Sequence, residues 1–145
     1  MTRVHLTRTI PAKPAQVYRA WLDPALLARW MAPGASTVTS ADVDEHVGGH
    51  YRIQHGEQGG FDAELLELVP DRRLVFRWGF VGPQWRSGPS YDSLLTVTFD
   101  ETDGGTLLTL VHERLDDLAA ALPEVARNVS PGWESALDKL VAVAS

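Results

Sequence analysis

The chain has no cysteine among its 145 residues, which excludes disulfides, thiolate metal sites and cysteine nucleophiles. A reducing, cytoplasmic setting is the expectation that follows. Positive charge is also scarce: 13 Lys and Arg stand against 19 Asp and Glu, a net charge of −6. That balance gives no general basic footprint for nucleic acid. No apolar run approaches the roughly 20 residues needed to span a bilayer. The opening MTRVHLTRTI alternates and carries charge, unlike a secretory leader. Gly48-Gly49 and Gly104-Gly105 lack the spacing of phosphate-binding loops, and no Gly-x-Ser-x-Gly nucleophile elbow is present. His46, His50 and His55 are interrupted by a Gly-Gly turn and fall on opposite strand faces, with no carboxylate or cysteine completing a ligand set. The expectation is one domain over residues 1–145, with no cofactor, no metal, no nucleic-acid partner and no membrane span.

What is present is periodicity. Val125, Val129, Trp133, Leu137, Leu140 and Ala144 recur at intervals of three and four, the stripe of an amphipathic helix over Pro123 to Ala144. Pro131 interrupts it by removing one helical hydrogen bond and crowding the Arg127 carbonyl. Either the helix kinks there or a new one starts with Ser130 as N-cap and Pro131 in its first turn. The unbroken phase of the stripe favours a kinked, continuous helix.

Earlier segments read as strands and short helices. Val4 to Ile10 alternates and ends at Pro11. Val17, Tyr18, Trp21 and Leu22 mark a first short helix, and Leu26, Leu27 and Trp30 a second. Between them Asp23-Pro24 supplies an N-cap and a proline suited to the first helical position, and Pro33-Gly34 ends the second helix. Strands are expected at Thr37–Thr39, His50–His55, Phe61–Val69, Leu74–Trp78, Ser93–Phe99 and Leu108–His112, with a loop at Gly82–Ser90 that carries Trp85. Tight turns between successive strands make an antiparallel meander, so the fold class is α+β with helices gathered on one face.

Several phrases then become specific. They are Ala20-Trp21-x-Asp23-Pro24-x-x-Leu27-x-x-Trp30-x-x-Pro33, Val47-Gly48-Gly49-x-Tyr51-Arg52 and Leu66-Glu67-Leu68-Val69-Pro70 followed by Arg73-Leu74-Val75-Phe76-x-Trp78. Gly105-Thr106-x-Leu108-Thr109-Leu110-x-His112 and Gly132-Trp133-x-x-x-Leu137-x-x-Leu140 complete the set. In order and spacing, over nearly the whole chain, they resemble the family of activators of heat-shock-protein ATPase, in the START-related (SRPBCC) superfamily. The resemblance implies the helix-grip fold: a curved antiparallel sheet wrapped round the C-terminal helix with a cavity between them. It also implies a role among those of the superfamily, which includes lipid carriers, hormone-binding proteins and polyketide cyclases and aromatases. Fold alone does not choose among these.

The expected cavity wall is Trp30, Phe76, Trp78, Leu95, Val97, Trp133 and Leu137, from inward alternation and the helix stripe. The same residues equally suit a filled core. Phe61 belongs to this set less firmly, with Ala63 and Leu65, because Leu66 and Leu68 compete for the inward face. His112 is in phase with Leu108 and Leu110 and so points inward, either as a structural histidine or as an acid–base group; the first reading is favoured. Tyr51, Arg52 and Tyr91 are further polar candidates. The leading reading is a binding module for a small apolar or amphipathic ligand. The alternatives are a chaperone-cofactor-like interaction module with Trp85 as exposed anchor, and a cyclase- or aromatase-like enzyme.

Overall fold

The computed structural model describes residues 3–32, 34–81 and 92–144. The expected loop at Gly82–Ser90, with Trp85 and the neighbouring Tyr91, lies outside the described residues, as does Pro33. Seven strands form one antiparallel sheet: β1 (Val4–Ile10), β2 (Ser40–Val43), β3 (His50–Gln54), β4 (Gly60–Val69), β5 (Arg73–Val81), β6 (Ser93–Thr102) and β7 (Gly105–Glu113). Their spatial order is β1-β7-β6-β5-β4-β3-β2. The last six are a meander, and β1 joins its far edge by pairing Val4 with His112 and Ile10 with Thr106.

Because β1 and β2 occupy opposite edges, the chain between them must cross the sheet. It does so as α1 (Pro14–Leu22) and α2 (Pro24–Trp30). Asp23 closes the first helix and caps the second, its Oδ1 accepting from the Ala25 amide at 2.9 Å, with Pro24 in the position that needs no donor. Helices α3 (Asp116–Ala121), α4 (Pro123–Arg127) and α5 (Val129–Ala144) follow the sheet, and α5 packs against α1, α2 and β1. The core lies between the concave face of the sheet and these helices. Ile10, Leu95, Val97, Leu108, Leu110, Leu137 and Leu140 in it have no exposed surface. The convex face carries ion pairs between exposed groups: Arg52 with Asp62, Arg73 with Glu67, and Arg77 with both Glu64 and Asp92. Such pairs add little stability.

Three local features depart from the sequence reading. The expected kinked helix over 123–144 is two helices, broken at Asn128. Pro131 has no N–H to return to the Arg127 carbonyl, so the chain ends α4 at Arg127 and restarts. Asn128 stabilises the break, its side-chain amide donating to the Glu124 carbonyl at 2.9 Å, and its own carbonyl accepts the Gly132 amide at 2.9 Å as α5 begins. The strand expected at Thr37–Thr39 begins instead at Ser40, because β3 ends at Gln54, the partner of Ser40. Thr39 only anchors the approach, its amide donating to the Gln54 carbonyl at 2.8 Å. Helix α3 has no counterpart in the sequence reading, since one buried residue, Leu118, gives no periodic signal.

A β-bulge settles the competition in β4. Leu65 pairs with Phe76 and Glu67 with Val75, leaving Leu66 as the extra residue. Ala63 and Leu65 therefore face inward, Leu66 is 41% exposed, and Leu68, beyond the bulge, packs against the core beside Leu74. At the turn before β3, Gly48 adopts φ 86, and a Cβ on Gly49 would collide with the Asp44 carbonyl oxygen.

Candidate functional site

Aromatic side chains fill most of the space between sheet and helices. Trp21 packs on Trp30, Phe76 and Trp133 with ring centroids 4.8, 6.1 and 5.9 Å apart. Tyr51 meets Phe76 at 4.9 Å and Trp78 at 5.9 Å, and Trp78 meets Trp133 at 5.4 Å. Tilted and edge-on arrangements of this kind suit the ring quadrupoles. Two of the rings also satisfy the end of α1. Trp30 Nε1 donates to the Ala20 carbonyl at 2.9 Å, and Tyr51 Oη to the Trp21 carbonyl at 2.6 Å. Both carbonyls belong to the last turn of the helix, which has no further amide to offer them. Burial pushes the Tyr51 phenol well above its ordinary pKa, so it stays protonated as a donor.

His112 is the polar centre of this region and is fully buried. Its Nδ1 lies 3.0 Å from Trp133 Nε1, and its Nε2 lies 2.7 Å from Ser93 Oγ. An indole nitrogen can only donate, so Nδ1 is the acceptor and the proton of the neutral ring sits on Nε2. Nε2–H then donates to Ser93 Oγ, whose own hydroxyl donates to the Trp78 carbonyl at 3.0 Å. The chain of bonds is complete, with no lone pair or proton of the imidazole left over. Burial pushes the His112 pKa down to about 3, so the ring is neutral at physiological pH. This geometry makes His112 the group that sets the orientation of Trp133.

Beyond Trp78 and Trp133 the packing opens into a cleft of about 420 Å³, a size common for small-molecule sites. Its floor is Phe61, Trp78 and Phe80 from β4 and β5. Its other walls are Met31 and Gly34 after α2, and Val129, Trp133 and Ala136 on α5. Asn128 and Val125 stand at the helix break. No described lining residue carries a titratable side chain.

The Met31–Gly34 rim is fastened by polar contacts. Lys139 Nζ donates to the Ala32 and Gly34 carbonyls at 2.6 and 2.7 Å, and the Gly34 amide donates to Ser135 Oγ at 2.9 Å. His55 adds a third tie, its Nε2 donating to the Met31 carbonyl at 2.9 Å while its ring packs edge-on against Phe61. Burial lowers the His55 pKa, which keeps that ring neutral as well.

Of the residues singled out from sequence, Phe61, Trp78 and Trp133 come together as cleft lining. Trp30, Tyr51, Phe76, Leu95, Val97 and Leu137 are fully buried in the packed core, and His112 is buried behind Trp133. Arg52 pairs with Asp62 on the convex face. The remaining described lining residues lie outside that expected wall, Phe80, Ala136, Val129 and Met31 among them. Phe80 continues the alternation of Phe76 and Trp78, and Ala136 follows Trp133 by three positions, so both were legible. Val129 was read as part of the helix stripe, not as a wall. Met31 carries no periodic signal, being placed by the end of α2.

An antiparallel sheet closed over a C-terminal helix, with a cleft between them, is the helix-grip architecture. The family model described as Activator of Hsp90 ATPase homolog 1-like protein matches residues 11–145, and the chain belongs to that family. It is similar to the human activator of 90 kDa heat shock protein ATPase homolog 1, 26% identical over 108 residues. That match covers 74% of this chain and 28% of the human protein's length. A solved structure from Chromobacterium violaceum is 31% identical with a TM-score of 0.77, covering 99% of this chain and 97% of that one. A structure of a protein in the dynemicin biosynthetic locus shares the fold at 24% identity and a TM-score of 0.71, covering 98% of this chain and 46% of that one.

Proposed function

We propose that the protein binds a small apolar or amphipathic molecule in the cleft between Phe61, Trp78 and Phe80 on the sheet and Val129, Trp133 and Ala136 on α5. The observation that carries this reading is the cleft itself, an apolar-walled space of about 420 Å³ in a fold whose remaining interior is closely packed. Removing such surface from water on ligand entry supplies the driving force. Binding is preferred to catalysis because the described walls hold no titratable group and His112 is neutral with both nitrogens engaged.

The test is titration with anilinonaphthalene sulfonate and a panel of fatty acids and aromatic metabolites, read by tryptophan and dye fluorescence. Wild type should show one saturable site, and Phe80→Asp, which places a charge in the apolar floor, should weaken it at least about tenfold, the cost of an unpaired charge against apolar surface. Absence of saturable binding across the panel, or equal binding by the variant, would overturn the reading.

A second reading, a chaperone-cofactor-like interaction module, is supported by the family membership and the human relative. The exposed Val47 and Leu66 are the described apolar residues best placed to serve it. Stimulation of an Hsp90-type ATPase by the wild type, and its loss in a Val47→Asp, Leu66→Asp double variant, is the outcome it requires. A cyclase-like activity is supported only by the superfamily's range of roles, and it lacks an acid–base group in the described cleft.

A further inference from the structure

Two rows of side chains on α5 border the cleft, and they differ in character. The inner row, Val129, Trp133 and Ala136, is apolar and buried. The outer row is Asn128, Gly132 and Ser135, whose spacing of four and three stacks them on one side of the helix. Asn128 stands just ahead of α5 yet is in register with it, since the Gly132 amide donates to its carbonyl at 2.9 Å. Asn128 is exposed and Ser135 half-buried, so a molecule in the cleft can reach both. Across from them, the half-buried rings of Phe61 and Phe80 are apolar. The cleft therefore has an apolar floor and inner wall, and a polar outer wall.

Each polar side chain of the outer row is fixed by one bond and keeps one capacity open. Asn128 Nδ2 donates to the Glu124 carbonyl at 2.9 Å, which orients the amide and leaves Oδ1 as an acceptor without a partner among the described residues. Ser135 Oγ accepts from the Gly34 amide at 2.9 Å, and its own proton meets no acceptor among the described residues. The seven positions between them set the two about 10 Å apart along the helix axis. Lys139 extends the row by four more, but the Ala32 and Gly34 carbonyls hold its ammonium at the rim. What the cleft offers along this row is an acceptor and a donor, both neutral.

We infer that the outer row recognises the polar edge of an amphipathic ligand, whose apolar body lies on Phe61, Phe80 and the inner row. Hydroxyl or amide groups along that one edge would donate to Asn128 Oδ1 and accept from Ser135 Oγ, since such groups do both. This rests on the cleft being a binding site. It commits the ligand to the amphipathic class, with its polar groups gathered on a single edge.

The probes are two dihydroxynaphthalenes with a hydroxyl on a β carbon of each ring, on the same long edge in one isomer and on opposite edges in the other. The corresponding dimethylnaphthalenes have the same shapes without the polar groups. Affinities are measured by equilibrium dialysis with wild type, Ser135→Ala and Asn128→Ala. Wild type should favour the same-edge diol about fivefold, the worth of a second neutral hydrogen bond, with no such preference between the dimethyl pair. Each variant should bring the diol ratio near unity, because one of the two bonds is then lost to both isomers. The wild-type ratios stand even where a variant fails to fold. Equal binding of the two diols, the same preference in the dimethyl pair, or a diol ratio that neither folded variant moves would overturn the polar row and leave the cleft as a plain apolar site. Binding of none of the four probes would overturn both readings.

Discussion

Followed along β5 from Leu74 to Phe80, the concave face of the sheet passes from a closed end to an open one. At the first end Leu74 and Phe76 are fully buried, Phe76 against Trp21 of α1 and Tyr51 of β3, and Trp21, Trp30 and Tyr51 have no exposed surface. At the second, Phe61 and Phe80 are only half-buried, and the helix above them is just beginning after its break at Asn128. Both ends are aromatic, so composition does not make the difference. What differs is the polar termini. At the closed end Trp30 and Tyr51 complete the last carbonyls of α1, and so draw the helix down onto the sheet. At the open end Pro131 denies the Arg127 carbonyl its partner, and the helix stops short of covering the strands. In this interior the closed end is the one where ring donors of Trp30 and Tyr51 meet the last carbonyls of a helix.

The largest expected effect comes from breaking the closed end. Trp30→Ala should lower stability by about 3–5 kcal/mol, as is usual for a large aromatic in a close-packed core, with the unpaired Ala20 carbonyl as a further cost. Denaturant melts check this, and a loss below about 1 kcal/mol would mean that the closed end is not packed as described.

Next comes the seam between the two ends, where His112 is held neutral. Its folded pKa, about 3, lies below the ordinary 6.5. As pH falls below 6.5, the unfolded chain takes up a proton that the folded chain refuses. Stability therefore falls by up to about 1.4 kcal/mol per pH unit toward pH 3, and this contribution is flat above 6.5. His55, also lowered, acts in the same direction. The difference between the pH profiles of wild type and His112→Gln isolates His112. Parallel profiles would contradict the buried neutral imidazole.

A smaller effect is expected at the rim. Lys139→Met keeps the apolar stem and removes the donors to Ala32 and Gly34, at a cost of about 1–2 kcal/mol. Amide exchange over residues 31–36 should quicken while Ile53 and Leu95 stay protected. Unchanged exchange at the rim would show that the Ser135 and His55 contacts suffice.

The smallest effect belongs to the cleft floor. Phe80→Ala should cost only about 1 kcal/mol, since a half-buried ring has less area to lose. If it matches Trp30→Ala in a denaturant melt, the two ends are equally closed and the comparison collapses.

Much of the fold was legible because alternation and helical stripes report directly which side of an element meets apolar surroundings. The inward phases of β5, β6 and β7 followed from Phe76, Leu95 and Leu110, and the α1–α2 junction followed from Asp23-Pro24. The bulge at Leu66 was not legible, because an extra residue reverses the phase and leaves only an ambiguous run of leucines. The break at Asn128 was visible as Pro131, yet the intact stripe suggested continuity; stripe phase records which residues are buried, not whether the backbone bonds between them persist.

By itself, then, the sequence determined most of the elements, their order, the buried faces of β5, β6 and β7 and the family, since each depends on local pattern or on motifs with fixed spacing. Only the tertiary structure decided which inward aromatics fill the core and which border space. Trp30 and Trp78 carry the same signal in the sequence, as inward-facing indoles. One meets the Ala20 carbonyl and is sealed; the other lies where α2 has ended and α5 has just begun, at the edge of a cleft with its N–H unpaired. That distinction depends on distances between elements far apart in the chain, which no local periodicity encodes.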